Sequence, residues 1–188
     1  MTKGSALIMC LSLAALTGCG KPAAKDSFAR AEEEEKRARK TVESATAPQD
    51  LHAVYQSTVE AFEKVIADHP EDELAEASLF RIANIRNNDT KEPALAIDLY
   101  KRYVQLYPNG KQTPLSMFII GYLYNNELHN LDSASAAYKR FLEKYPDNEM
   151  AMSAQYELNT LGKTPDQLLP KTEEAEKPAP KKSHRKTT

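Results

Sequence analysis

The residue types that most often carry catalysis or bind metals are few in this sequence and are poorly spaced for either role. The four histidines share no metal-ligand spacing, and two cysteines cannot supply the four thiolates of an all-cysteine zinc site. No nucleophile elbow, phosphate-binding loop or dinucleotide fingerprint occurs. The many Asp and Glu residues fall on polar faces of predicted helices. We therefore predict no catalytic residue, no metal site and no enzymatic activity.

The composition limits the partners that the chain could take. Its 188 residues carry 25 Lys and Arg against 27 Asp and Glu, which leaves no basic field of the kind that nucleic-acid binding needs. The length suits one modest domain with tails. We expect no nucleic-acid partner.

One cysteine does stand in a context with a chemical meaning. Lys3 precedes an apolar run from Ala6 to Leu16, which is too short to span a bilayer but suits the apolar segment of a signal peptide. The run ends in Leu16-Thr17-Gly18-Cys19, which resembles a bacterial lipobox. This resemblance implies cleavage before Cys19 and a covalent acyl lipid, such as palmitate, on its thiol; we expect no other cofactor. The alternatives are an ordinary secretory signal and a buried helix with an incidental cysteine.

The resemblance to a lipobox also implies a cellular location. Gly20 follows Cys19, where an Asp would resemble an inner-membrane retention signal. In a bacterium with two membranes the resemblance therefore implies a domain that is lipid-anchored to the outer membrane and faces the periplasm. We assign residues 1–18 to the signal peptide and residues 19–50 to a lipidated tether and a charged helix.

The rest of the chain is organised by an internal repeat. Segments 61–70, 99–108 and 137–146 align without a gap, are offset by 38 residues, and each end in proline. A second apolar motif keeps the same offset, with Leu79, Ile82 and Ile85 corresponding to Met117, Ile120 and Leu123, and to Gln155, Leu158 and Leu161. Repeats of this length are typical of stacked structural units.

The apolar spacing within each unit is helical. From Leu51 to Ile66 the apolar residues recur three or four apart, and each proline then ends a helix. The predicted helices are 51–67, 73–87, 93–106, 112–126, 131–144 and 149–161. Paired as hairpins, they must stack to bury their apolar faces. The sequence therefore predicts an all-α fold.

The repeat resembles the tetratricopeptide repeat. The resemblance covers residues 51–162 and rests on Met117-x2-Ile120-Gly121-x2-Tyr124, followed by Ala134, Tyr138 and Pro146. It implies an α-solenoid of stacked hairpins. The aromatic-Pro ending and the longer connection resemble the envelope subgroup that includes the BamD-like barrel-assembly lipoproteins and the CpoB-like periplasmic cell-division proteins.

In tetratricopeptide folds the first helix of each hairpin lines a concave groove, so the resemblance also implies a partner-binding groove. The positions carried over are Phe80, Asn84, Asn87, Phe118, Tyr122, Asn125, Asn126 and Tyr156. Asn offers a donor and an acceptor to a peptide backbone, and the aromatic rings offer contact area. The alternative is that Phe80, Phe118 and Tyr156 belong to the core.

The flanks of the repeat are polar. Residues 27–46 predict a charged helix, with Glu32, Glu33 and Glu35 facing Lys36, Arg37 and Arg39; it could cap the repeats or remain a solvated spacer. Gly162 has the position of a helix C-cap. Residues 163–188 form a Lys/Glu/Pro-rich tail that we expect to be disordered. Its basic cluster, 181–186, could contact anionic envelope polymers weakly or serve only as a solubilising end.

Together the resemblances imply a lipid-anchored scaffold of the cell envelope that binds a protein partner through its groove. Outer-membrane β-barrel assembly is the favoured pathway. The alternatives are a periplasmic coordinator of cell division or envelope constriction, and a pilotin-like escort for a secretion or pilus subunit.

Overall fold

The computed structural model describes residues 21–168, and every regular element within that range is helical. The predicted signal peptide, Cys19 and the tail beyond residue 168 lie outside the described residues. No helix in the described range is both long and apolar enough to cross a membrane. The helices are α1 (Ala24–Ser44), α2 (Leu51–Asp68), α3 (Glu73–Asn84), α4 (Pro93–Leu106), α5 (Thr113–Asn126), α6 (Leu131–Lys144), α7 (Ala151–Thr160) and α8 (Pro165–Leu168).

The bounds of α2 and of α4 to α7 agree with the sequence prediction to within two residues, whereas α1 begins three residues before the predicted start at residue 27. The helix predicted to run to residue 87 ends its α-helical part at Asn84 and continues as a π-helical turn over Ile85–Asp89. The prediction was wrong there because apolar spacing reports helical periodicity and does not distinguish i,i+4 from i,i+5 hydrogen bonding. At the other end of the repeats the C-cap of α7 is Leu161, and the predicted cap residue Gly162 follows it with a φ of 71°, a conformation that glycine adopts readily.

The chain divides into two compact units, with the boundary after Leu79. In the first unit α1 packs against α2. The charged helix is therefore docked on a neighbouring helix and is not a solvated spacer. The rings of Phe28 and Phe62 meet edge to face at 5.5 Å between centroids. Ala31 and Ala38 are buried on the same stripe of α1, where small side chains allow the two helices to approach closely.

The i,i+4 ion pairs that the sequence predicts for α1 form only in part. Arg39 pairs with Glu35 at 3.0 Å, as the i,i+4 spacing predicts, and the Glu35 side chain is only 5% exposed. Lys36 and Arg37 instead take the glutamates three residues earlier, at 3.8 and 2.8 Å. Both spacings bring side chains together on a helix surface, so the local rotamers decide which pair forms.

The turns that follow α2, α4 and α6 share one backbone geometry. The residue before proline ends the helix with φ between −138° and −123° and ψ between 56° and 65°, and its N–H donates to the carbonyl four residues earlier. Its own carbonyl accepts from the N–H three residues later at 2.9–3.2 Å. The residues at this position are His69, Tyr107 and Tyr145. Proline dictates this ending because it disfavours the helical region for the preceding residue.

The loop between α3 and α4 and the loop between α5 and α6, both within the second unit, are also alike. In each, an N–H donates at 3.0 Å to the carbonyl five residues earlier, from Thr90 to Ile85 and from Leu128 to Leu123. The next residue then takes a positive φ, 56° at Lys91 and 50° at His129. The 38-residue repeat is thus a repeat of backbone conformation as well as of residue type.

An ion pair specific to the first of these hairpins closes its loop. Arg86 Nη1 lies 2.8 Å from Glu92 Oε2, and the Arg86 side chain is only 8% exposed. The Thr90 hydroxyl donates to the same carboxylate. Arg86 stands where the second hairpin has Tyr124, so a buried arginine paired with the half-buried Glu92 replaces the aromatic residue of the repeat motif.

Candidate partner-binding surface

Gly121 sets how closely α5 approaches α6. A Cβ atom on Gly121 would lie 2.7 Å from Cε1 of Tyr138, which is closer than carbon atoms can pack. The Tyr138 ring is completely buried, so it has little room to withdraw. Gly121 therefore fixes the distance between α5 and α6. The side chains on the opposite face of α5 are positioned by this contact.

Phe80 and Phe118 hold each hairpin together. Phe80 lies 6.0 Å from the ring of Tyr100, and Phe118 lies 5.8 Å from the ring of Tyr138, with interplanar angles of 62° and 58°. Each Phe also contacts the ring three residues further along the facing helix, at 5.6 and 6.0 Å. Both are half-buried. These contacts favour the alternative role that the sequence left open for them, within the hairpin core.

Asn84 and Asn87 are engaged inside the first hairpin. Tyr100 Oη donates to Asn84 Oδ1 at 2.8 Å across the α3–α4 contact. Burial raises the pKa of Tyr100 to about 12, and a side-chain hydrogen bond with Asn87 acts in the opposite direction. Both amides are half-buried, so a peptide ligand would have to compete with an internal hydrogen bond for them.

The equivalent tyrosine in the second hairpin has no such bond. At the position of Asn84 that hairpin has Tyr122, and the buried hydroxyl of Tyr138 has no hydrogen-bond partner among the described residues. Burial raises the pKa of Tyr138, and the negative charges that Glu157 and Tyr122 carry when ionised raise it further. Replacing Asn by Tyr at this position removes an internal acceptor and places an aromatic ring at the surface.

Tyr122 is one of three large apolar or aromatic side chains that are exposed on α5 and α7. Tyr122 is 43% exposed, Tyr156 60% and Met152 86%. Met152 and Tyr156 are four residues apart and share one face of α7. We name the set formed by Tyr122, Asn126, Met152 and Tyr156 the α5–α7 surface.

A hydrogen bond joins the two helices beneath this surface. Asn125 Nδ2 donates to Glu157 Oε2 at 3.2 Å, which ties the last turn of α5 to α7. The exposed Asn126 bonds only to the carbonyl of Tyr122 in its own helix, at 3.1 Å. Of the eight groove positions taken from the resemblance, the structure thus leaves Tyr122, Asn126 and Tyr156 most accessible.

Sequence reasoning did not select Met152 or Glu157. Met152 is the most exposed large apolar side chain of the described residues. It lies four residues before Tyr156 in the sequence, and this helical spacing could have indicated that the two residues share a face. Glu157 became relevant only through its bond to Asn125, which depends on how α7 packs beside α5. Within the described range, no cluster of three or more His, Cys, Asp or Glu residues could hold a metal ion.

Comparison with known families agrees with this architecture. Residues 77–110 and 115–148 each match the model of the tetratricopeptide repeat family, and the two matches are offset by the same 38 residues as the hairpins. No curated protein gives a significant match to the chain. Repeats of this family generally mediate binding between proteins. The chain is therefore an all-α protein that contains two tetratricopeptide repeats, formed by its α3–α4 and α5–α6 hairpins.

Proposed function

We propose that this protein is a lipid-anchored scaffold of the bacterial cell envelope that binds a protein partner through the α5–α7 surface. The observation that carries the binding role is the exposure of Tyr122 on α5 and of Met152 and Tyr156 on α7, two helices that the hydrogen bond from Asn125 to Glu157 joins. Aromatic residues and Met are enriched in the buried centres of protein interfaces, where they supply contact area at a small cost in conformational entropy.

The anchoring part of the proposal rests on the N-terminal sequence. A charged start, an apolar run of signal-peptide length and Leu16-Thr17-Gly18-Cys19 occur in the required order. Several acyl chains on Cys19 would hold the domain durably at a membrane, whereas a single chain would hold it only marginally. Gly20 after the cysteine supports the outer membrane as the location, with the repeats in the periplasm.

Outer-membrane β-barrel assembly is the pathway that we propose for the partner. The support is the resemblance of the aromatic-Pro helix ending, seen at Tyr107-Pro108 and Tyr145-Pro146, to the repeats of the envelope subgroup that includes the barrel-assembly lipoproteins. The three-fold recurrence of one cap geometry shows that this ending is a structural feature of the chain.

Depletion of the protein in its host tests the pathway. We expect the abundance of folded outer-membrane barrels to fall, and expression of the wild-type chain or of Lys139→Glu to restore it, since Lys139 lies on the exposed face of α6. Tyr122→Arg should fail to restore it although the protein accumulates normally. Chained cells with normal barrels would instead indicate the division pathway, and failure of secretin assembly alone would indicate a pilotin; either result would contradict a role in barrel assembly.

A further inference from the structure

A pocket of about 530 Å³ lies between α4, α5 and α6, away from the α5–α7 surface. On α5 it uses Met117, Ile120 and Tyr124, whereas the α5–α7 surface uses Tyr122 and Asn126. At 100° per residue these two sets point roughly 170° apart around the helix. The pocket is therefore a separate site, and its volume is within the range of small-molecule sites.

The lining of the pocket is apolar at its floor and basic at its rim. Val104, Met117 and Ile120 supply aliphatic and thioether surface, and Met117 and Ile120 are buried. Lys101 from α4 and Arg140 from α6 are exposed and contribute the two charges. No acidic residue lines the pocket. Among residues 21–168, neither cation has a carboxylate partner within ion-pair distance.

The donors at the rim are arranged for an anion. Lys101 Nζ donates to Tyr124 Oη at 2.7 Å and lies 5.2 Å from the centre of the Tyr124 ring. An ammonium group has three donors and a phenol has one, so at least two N–H groups of Lys101 and the O–H of Tyr124 remain to donate. Together with the Arg140 guanidinium, these groups could bind both oxygens of a carboxylate.

From this arrangement we propose that the pocket between α4, α5 and α6 binds a small anionic amphiphile, a carboxylate carried on an aliphatic body. The head would lie between Lys101, Tyr124 and Arg140, and the body would cover Val104, Met117 and Ile120. Charge complementarity selects this occupant over a neutral apolar molecule, because a neutral head would leave two cations without a partner. The proposal does not depend on the function of the α5–α7 surface.

Isothermal titration calorimetry of the full chain tests the proposal, with decanoate as the probe, below its micelle-forming concentration, and decan-1-ol as the matched neutral molecule. We expect saturable binding of decanoate and at least about tenfold weaker binding of decan-1-ol, since each charge-assisted contact favours the anion. Lys101→Glu combined with Arg140→Glu should weaken decanoate binding by at least about tenfold. Ala136→Trp, at an exposed position of the lining, should abolish it by filling the pocket.

Lys139→Glu is the control, because it makes the same charge change on α6 outside the lining. It should leave decanoate binding within about twofold of the wild type, as expected for a screened surface charge. Circular dichroism of each variant separates loss of binding from loss of folding, and Ala136→Trp changes no charge. Absence of saturable decanoate binding, equal affinity for decan-1-ol, or equal weakening by Lys139→Glu would overturn the proposal.

Discussion

Tyr100 donates its hydroxyl hydrogen to Asn84 at 2.8 Å, and this bond spans the α3–α4 hairpin. The equivalent hydroxyl in the α5–α6 hairpin, that of Tyr138, is buried and has no hydrogen-bond partner within residues 21–168, because Tyr122 stands where Asn84 would be. One exchange within the repeat therefore replaces a residue that holds the hairpin together by a residue whose ring is exposed at the surface. Two repeats with nearly the same backbone thus have different surfaces.

The first prediction concerns these two tyrosines. Tyr100→Phe should lower the free energy of unfolding by about 1 kcal/mol, because it removes a hydrogen bond and leaves the Asn84 acceptor unsatisfied. Tyr138→Phe should change it by less than about 0.5 kcal/mol or raise it, because no bond is lost. Urea unfolding of both variants provides the comparison. Equal destabilisation would mean that Tyr138 has a hydrogen-bond partner after all.

The second prediction concerns alkaline pH. Burial raises the pKa of Tyr100 from 10.0 to about 12, so the unfolded chain loses this proton at a lower pH than the folded chain does. The stability contributed by the neutral phenol is present below pH 10 and is lost as the pH rises toward 12, with a slope of up to about 1.4 kcal/mol per pH unit.

Tyr100→Phe should therefore make the stability of the protein fall less steeply above pH 10 than it does in the wild type. Tyr156→Phe is the control, since its ring is 60% exposed. Chemical denaturation at several pH values between 9 and 12 would measure the slopes. An identical slope in wild type and Tyr100→Phe would show that the phenol titrates alike in both states.

The third prediction concerns the contact of Gly121 with Tyr138. Gly121→Leu should lower the free energy of unfolding by about 3 kcal/mol, because the side chain must displace a buried ring. Gly121→Ala should cost less, since Ala83 occupies the equivalent position beside Tyr100 in the preceding hairpin. Thermal unfolding followed by circular dichroism measures both. An unchanged melting temperature in Gly121→Leu would contradict the packing of α5 on α6.

The fourth prediction concerns the lipid anchor. Cys19→Ala should give an unprocessed precursor that takes up no fatty acid, because the thiol that we propose as the lipid acceptor is missing. Cys10→Ala, which changes the only other cysteine, should be processed and labelled normally. Metabolic labelling with an alkyne fatty acid reads out both variants. Normal labelling of Cys19→Ala would contradict the lipobox.

The sequence was sufficient to predict the architecture because the repeat is defined by local sequence patterns. Pro108 and Pro146 mark the ends of helices, and the 38-residue offset aligns motifs whose caps and loops the structure also repeats. The packing of α1 on α2 could not be decided, because a sparse stripe of alanines suits both a docked and a solvated helix.

The candidate site was predictable only in outline. The resemblance selected Tyr122 and Tyr156, which are exposed, together with Phe80, which packs on α4. Helical periodicity shows which residues share a face, but it does not show which neighbouring helix covers that face. The pairing of Arg86 with Glu92 was hidden for a related reason, since it depends on the path of the loop between α3 and α4.

The measurement that tests the account most directly is photo-crosslinking in living cells from a crosslinking amino acid at Tyr122. The same amino acid at Lys139, on the exposed face of α6, is the control. We predict that Tyr122 captures one dominant envelope protein, identified by mass spectrometry, and that Lys139 does not capture it. No adduct from Tyr122, or the same adducts from both positions, would contradict partner binding at the α5–α7 surface.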